Sequence, residues 1–433
     1  MGLSFPDSLR YLYGLQKHGI KLGLATVETL LSRFGDPQER YQTFHIAGTN
    51  GKGSTAAMVA SVLVAAGYRT GLYTSPHLMD FRERIRVNGA MIPEVQVSAL
   101  VERLRPEAGA SLSPTFFEFN TAMAFQYFAQ EQVDVAVVEV GMGGRFDATN
   151  VVRPVVAAIT TVALDHQEYL GTTVAQIAFE KGGIIKPGIP LVTGRLTGEG
   201  LQVIGELAVT RGAPHRRLGD EFHAVREEGR EFGYRGRRWA FDGLSIPLLG
   251  DHQVDNAACA VAMVEQAAEQ GIRVSESALR SGLRQVSWEG RLDVVERNPL
   301  VVLDGAHNPG AAHVVADYIA AHRHREPTGR VILVVGMMKD KDLRGFLRIV
   351  GPSADEVILT RVELARAATV QELQAALPVD APAPALARST AEALDEARRL
   401  ASPNDLICVT GSLMLVGEVK ALLRGCLLSP IVG

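Results

Sequence analysis

The stretch that most restricts the fold is residues 42–55, QTFHIAGTNGKGST. An apolar, strand-like run (42–47) meets three glycines gathered around one lysine. A helix-like run (55–66) follows and ends at Gly67. A strand that feeds a helix through a glycine loop starts a βαβ unit. It commits its surroundings to a mostly parallel sheet covered by helices on both faces. The same rhythm predicts strands at 69–74, 134–140 and 155–161 and helices at 117–130 and 174–181. Residues 214–249, rich in Arg, Glu, Gly and aromatics, read instead as small antiparallel strands, with a long helix at 254–270. Beyond Trp288 the β/α rhythm restarts at 300–303, 331–336, 356–360 and 405–410. The expectation is an α/β chain with one domain over 1–295, its parallel sheet joined by a small antiparallel one, and a second α/β domain over 296–433.

The chemistry expected of the glycine loop is anion binding. Glycines let backbone N–H groups converge on a phosphate, and the helix N-terminus adds partial positive charge. Asn50, Gly51, Lys52 and Gly53 form the turn, and Lys52 can reach a β- or γ-phosphate as a point charge. The strict Walker pattern fails twice: Ile46 stands where its first glycine belongs, and Gly53 follows the lysine where Ser or Thr is usual. Gly53 therefore lacks the hydroxyl that normally binds magnesium, and other oxygens must supply it. Ser75 lies just past the second strand and Glu139 ends the 134–140 strand. C-terminal ends of parallel strands share one rim. A carboxylate at Glu139, preceded by apolar residues, is costly unless it is ion-paired or binds metal.

Composition excludes several classes. With 44 Lys+Arg against 48 Asp+Glu the net charge is −4, and no basic field draws the chain to nucleic acid or anionic lipid. Aromatics at 6% offer no stacking platform for single strands. No apolar stretch reaches the ~20 residues needed to span a bilayer. Asp7 precedes any apolar stretch of a signal peptide. Cys259, Cys408 and Cys426 have no C-x-x-C spacing, which suits a reducing cytoplasm. Gly141–Phe146, GMGGRF, only partly matches a dinucleotide fingerprint, and the basic run 321–325 reads as a solvated loop.

Seven motifs, in this order, resemble one family: GTNGKGS (48–54), YTSPHL (73–78), EVGMGGRFDATN (139–150), LDHQEYLG (164–171), EKGGIIKPG (180–188), WEGRLDVV (288–295) and LDGAHNP (303–309). The family is folylpolyglutamate synthase/dihydrofolate synthase, within the Mur-type ATP-dependent amide ligases. The resemblance implies an N-terminal P-loop ATPase domain and a C-terminal Rossmann-like domain. It implies ATP-driven addition of L-glutamate to dihydropteroate and to reduced folates, through an acyl phosphate. By the same resemblance Ser75 and Glu139 hold a first Mg²⁺ and His166 a second. It further implies that Lys181 is carbamylated and that Asn256, Arg291 and Asp304 contact the nucleotide. His307 and Ser412 belong to the amino-acid side.

The resemblance also assigns the pterin side to Thr115, Phe116, Phe117, Glu118, Phe146, Asp147 and Ala148. Aromatic rings can cover a flat heterocycle, and a carboxylate can accept from its N–H groups. Core packing at a helix start is the plainer reading of Phe116 and Phe117. Lys52 and Lys181 are two of eight lysines beside 36 arginines, in a chain that otherwise prefers arginine. A cell-wall Mur ligase would carry a further domain before the loop, where only 47 residues precede Gly48. A non-catalytic nucleotide binder would not need Glu139, His166 and Lys181 together. The expectation is a cytoplasmic monomer with small-molecule substrates, without nucleic-acid or membrane partners.

Overall fold

The structure is a computed structural model that describes residues 2–429, apart from 20, 22, 110, 111, 228–230 and 427. The chain divides into two compact units: residues 1–77, 82–247 and 251–287 form the first, and 78–81, 248–250 and 288–433 the second.

In the first unit, strands β1 (Gln42–Ala47), β2 (Thr70–Tyr73), β3 (Ile85–Val87), β4 (Ala90–Met91), β5 (Val135–Glu139), β6 (Val156–Ile159), β7 (Leu191–Thr193) and β8 (His215–Arg217) form one sheet. Its order is β4-β3-β2-β5-β1-β6-β7-β8. The six strands from β2 to β8 run parallel, and β3 and β4 add an antiparallel edge. β2 and β5 are buried along their whole length, and β1 is buried after Gln42. Such runs suit a sheet covered on both faces. The helix Lys52–Ala65 packs on β1, β2 and β5. Phe128, in the helix Phe116–Gln130, lies against Gly71 of β2.

Residues 215–217 correct the expectation of an all-antiparallel 214–249. β8 joins the main sheet in parallel with β7 after the helix Gly198–Thr210, completing a βαβ crossover. The antiparallel part is smaller: β9 (His223–Arg226), β10 (Glu231–Arg235) and β11 (Ala240–Ser245), in the order β11-β10-β9.

The second unit is a six-stranded sheet of β12 (Asp293–Arg297), β13 (Leu300–Leu303), β14 (Val331–Val335), β15 (Glu356–Leu359), β16 (Ala385–Leu386) and β17 (Leu406–Thr410), in the order β12-β13-β17-β14-β15-β16. Successive strand side chains point to opposite faces. Val331, Leu333 and Val335 accordingly join one core with Val315, Ile319 and Phe346, while Ile332 and Val334 join another with Leu394, Leu415 and Val419. β12 pairs antiparallel with β13, and the long segment of this unit starts at Trp288. The basic run 321–325 is the last turn of the helix Pro309–Arg325 rather than a loop, and His322 within it is buried. Cations there oppose the negative helix end.

Candidate functional site

Register fixes where the site can form. Ile46 pairs with Glu139, Ala47 with Ile159 and Tyr73 with Val138. The ends of β1, β2, β5 and β6 therefore lie level, and the loops that follow them leave one rim.

The first of these loops carries the glycines. The helix begins at Lys52, three residues earlier than expected, with Gly51 as its N-cap at φ 87°. Thr55 N–H bonds Gly51 O, which leaves the N–H groups of Lys52, Gly53 and Ser54 as the unpaired first turn. A side chain at Gly51 would meet Asn256 Oδ1 at 2.4 Å, and one at Gly48 (φ 153°) would meet Thr160 Oγ1 at 1.9 Å. Glycine is thus required at both positions, and Asn256 is brought against the loop. Asn256 Nδ2 donates to Gln253 Oε1, which orients its amide.

The end of β6 clamps this loop. Thr49 N–H donates to Thr161 O and Asn50 N–H to Thr161 Oγ1, both at 2.9 Å. Thr160 Oγ1 donates to Asn50 O at 2.6 Å. Thr49 Oγ1 donates to Ala163 O and accepts Ala163 N–H. Residues 160–163 escaped sequence reading because ITTVA (159–163) looks like the tail of an ordinary buried strand.

Two lysines meet at one carbonyl. Lys52 Nζ donates to Gly48 O at 3.0 Å and to Thr49 O at 3.2 Å. Lys181 Nζ, from the helix Val174–Gly182, also donates to Gly48 O at 3.0 Å. Lys181 is 4% exposed. Burial, and secondly the Lys52 charge, lower its pKa to about 7, against the pull of Asp165 and Asp147.

Around the rim, Ser75 N–H donates to Glu139 Oε2 at 3.1 Å, and Glu139 is buried. This joins the two residues expected to share a metal. His166 takes the left-handed conformation at φ 49°, starting the short helix Gln167–Leu170, and its N–H donates to Asp165 Oδ1. Among the described residues, no cluster of three or more His, Cys, Asp or Glu is grouped as for a metal ion.

Among the residues expected to meet the pterin, several have work within the protein. Thr115 and Glu118 form a capping box: Thr115 Oγ1 accepts Glu118 N–H and Glu118 Oε2 accepts Thr115 N–H. Phe116 stacks on Tyr13 at 5.5 Å and carries the Arg84 guanidinium 5.4 Å from its ring centre. Arg84 is buried, and its Nε donates to His77 Nδ1 at 2.8 Å. Nothing in the sequence singles out Arg84 among three arginines within five residues. Phe117 lies against Gly141 and Tyr73. The Arg145 guanidinium lies 4.2 Å from the Phe146 ring centre. Asp147 and Ala148 are both buried. Burial raises the Asp147 carboxyl pKa, and hydrogen bonds from Thr149 and Met142 pull it back.

The remaining expected residues lie in the second unit. Asp304 is buried and accepts Leu292 N–H and Ala306 N–H, each at 2.8 Å. Arg291 Nη1 donates to Gly290 O. His307 Nδ1 is 2.8 Å from Gly305 O, so Nδ1 carries the proton. Ser412 Oγ caps the helix Leu413–Arg424 by accepting Leu415 N–H. Asp304 and Ser412 thus bind backbone, a function their sequence motifs did not suggest.

The sequence matches the Mur ligase middle domain over residues 46–264 and the Mur ligase glutamate ligase domain over 290–413. The chain is 35% identical to the dihydrofolate synthase/folylpolyglutamate synthase of Bacillus subtilis, covering 98% of this chain and 100% of that one. Its fold is similar to that of E. coli FolC in complex with DHPP and ADP, with TM-score 0.89, 34% identity and 98% of each chain covered. It is also similar to the bifunctional folylpolyglutamate synthase/dihydrofolate synthase of Yersinia pestis complexed with AMPPNP and Mn ion, with TM-score 0.88, 33% identity and 98% of each chain covered. The two domain matches define the class as a Mur-type ligase. Within that class the chain belongs to the dihydrofolate synthase/folylpolyglutamate synthase family.

Proposed function

We propose that this chain uses ATP to join L-glutamate to dihydropteroate, giving dihydrofolate, and to add further glutamates to reduced folates. The observation that carries this reading is the convergence of Lys52 and Lys181 on Gly48 O, in a glycine loop clamped by Thr160 and Thr161. Phosphoryl transfer asks the protein mainly to position groups and to neutralise charge. In this reading the first unit is a P-loop ATPase domain and the second is Rossmann-like. Lys52 and the N–H groups of residues 52–54 hold the phosphates, and Asn256, Arg291 and Asp304 hold the rest of the nucleotide. The acceptor carboxylate attacks the γ-phosphate, ADP leaves, and the glutamate amine displaces phosphate from the acyl phosphate.

The residues present fit a divalent metal. Glu139 is a buried carboxylate at the strand rim whose Oε2 accepts Ser75 N–H, and its oxygens are of the hard kind that magnesium takes. Ser75 and Glu139 would hold one ion and His166 a second. Bound there, the metal would neutralise charge on the phosphate oxygens. Lys181 fits carbamylation: an amine with a pKa of about 7 is substantially neutral at pH 7. Its nitrogen can bond to CO₂ with loss of one proton, giving an anion with two oxygens. Phe117, Phe146, Asp147 and Ala148 receive the pterin, with Phe116, Thr115 and Glu118 shaping the wall. His307 and Ser412 serve the glutamate side. We place the enzyme in the cytoplasm as a monomer.

The test is glutamate-dependent ADP release from one purified sample with dihydropteroate or tetrahydrofolate as acceptor. Release is expected with both, and Lys52→Ala should lose it with both while keeping the wild-type melting temperature. A folded Lys52→Ala with near-normal release would overturn the loop assignment. Activity with tetrahydrofolate alone would overturn the dual specificity.

A further inference from the structure

β1 runs through the middle of the first sheet, and its buried residues are apolar except for Thr43 and His45. His45 has no exposed surface. An imidazole there is costly unless it is partnered. Its Nε2 lies 2.8 Å from Thr149 Oγ1. Thr149 Oγ1 donates to Asp147 Oδ1 at 2.5 Å, and Thr149 N–H donates to the same oxygen at 3.0 Å. Met142 N–H donates to Asp147 Oδ2 at 2.9 Å. Lys186 Nζ holds the same turn from Asn150 O.

Counting protons fixes the direction of this chain. An ionised carboxylate only accepts, so the single Thr149 hydroxyl proton goes to Asp147. Thr149 Oγ1 is then an acceptor towards His45, and Nε2 must carry a proton. His45 Nδ1 is buried without a hydrogen-bond partner among the described residues, so a proton there would be an unmet donor. Burial, and secondly the charge of Lys186, push the His45 pKa down to about 3, which keeps the ring neutral. Both acceptor sites of Asp147 Oδ1 are filled from Thr149, so a further donor must come to Oδ2, which Met142 N–H already meets, with Gly141 N–H also bonding the carboxylate.

We propose that His45 is a positioning residue for Asp147: its Nε2–H commits the Thr149 proton to Oδ1, fixing the carboxylate so that Oδ2 receives a ring N–H of the pterin. This rests on the reading of Asp147 as the pterin acceptor. An apolar residue would fill the strand at lower desolvation cost, so the polar ring earns its place by orienting the turn. Hydrogen bonds in such chains also strengthen one another.

The test measures KM for dihydropteroate and for ATP, kcat and melting temperature on the intact enzyme. His45→Leu is expected to raise the dihydropteroate KM by about tenfold, as for a lost buried hydrogen-bond partner. Its ATP KM should stay within about twofold of wild type. Thr149→Val should match it, and the double variant should be no worse than Thr149→Val alone, because the residues act in series. His45→Gln, whose amide can donate from a similar distance, and Thr149→Ser should recover most of the loss. If His45→Leu does not fold, the comparison of Thr149→Val with Thr149→Ser and His45→Gln carries the test. The proposal is overturned if His45→Leu moves both KM values alike, or if His45→Gln is no better than His45→Leu. Asp147→Asn separates the two readings. A raised dihydropteroate KM there, with none in His45→Leu and Thr149→Val, keeps the pterin site and refutes the relay. An unchanged KM in Asp147→Asn refutes both.

Discussion

Replacing Lys181 with methionine keeps the length of the side chain and removes its charge. Lys181 has a pKa of about 7 in the fold against an ordinary 10.5, because it is buried and faces Lys52. That difference is worth on the order of 5 kcal/mol. The sign follows from proton counts. Between pH 7 and about 10.5 the unfolded chain holds a proton that the folded chain has released, so wild-type stability rises with pH across this window. Below pH 7 both states are protonated and the fold carries the full cost of a buried ammonium. Lys181→Met should therefore be more stable than wild type at pH 6, in buffer free of CO₂. The gap should close as pH rises from about 7 to 10.5. Denaturant melts of the two proteins across this range measure it. At pH 7 about half of Lys181 is free amine, roughly three orders of magnitude more than an ordinary lysine offers. Labelled ¹³C-bicarbonate should accordingly give one carbamate resonance near neutral pH that Lys181→Met lacks, and activity should fall when CO₂ is removed. A stability gap that does not change with pH, or a wild type more stable than the variant at pH 6, would refute the burial argument. A missing resonance together with activity indifferent to CO₂ would refute the carbamate.

Gly48→Ala places a methyl 1.9 Å from Thr160 Oγ1 at a backbone angle of φ 153°. It should cost about 1–3 kcal/mol in stability and abolish measurable ADP binding by calorimetry, and near-normal ADP affinity would contradict the clamp. Glu139→Ala and His166→Ala should each raise the Mg²⁺ concentration for half-maximal activity by at least the 10–100-fold typical of residues that only support a ligand. Excess Mg²⁺ should rescue His166→Ala better, since it loses a neutral ligand and Glu139→Ala an anionic one; equal rescue would contradict that division.

The elements that repeat one physical signal were readable from the chain. β1, β13 and the loop between Ala47 and Lys52 show themselves because buried parallel strands and phosphate-type turns leave dense local patterns. The expected start of the helix after the loop is Thr55 but the helix starts at Lys52, because Gly53 and Ser54 are weak helix signals and the cap geometry decides. β8 was misassigned because a three-residue edge strand of charged residues carries no periodicity of its own, and its partner β7 decides the pairing. Among site residues, Lys52 and Glu139 stand out locally, by a motif and by a charge at the end of an apolar strand. His45, Arg84, Thr160 and Thr161 do not. Their importance lies in which side chain or carbonyl they reach across the sheet, and sequence spacing does not encode that. Ser412 and Thr115 have a further role that their motifs do not announce, since each hydroxyl caps a helix.

The bonds from residues 160–163 to the glycine loop have a thermodynamic consequence. They are made within the protein, so the loop's conformational entropy is surrendered on folding and not when nucleotide arrives. Affinity for the phosphates then draws little on ordering the loop. A variant such as Thr161→Val, which removes the hydroxyl that holds Asn50 without itself being an expected nucleotide contact, would shift that cost from folding to binding. It would weaken nucleotide association through a less favourable binding entropy while leaving the enthalpy of the phosphate contacts nearly intact.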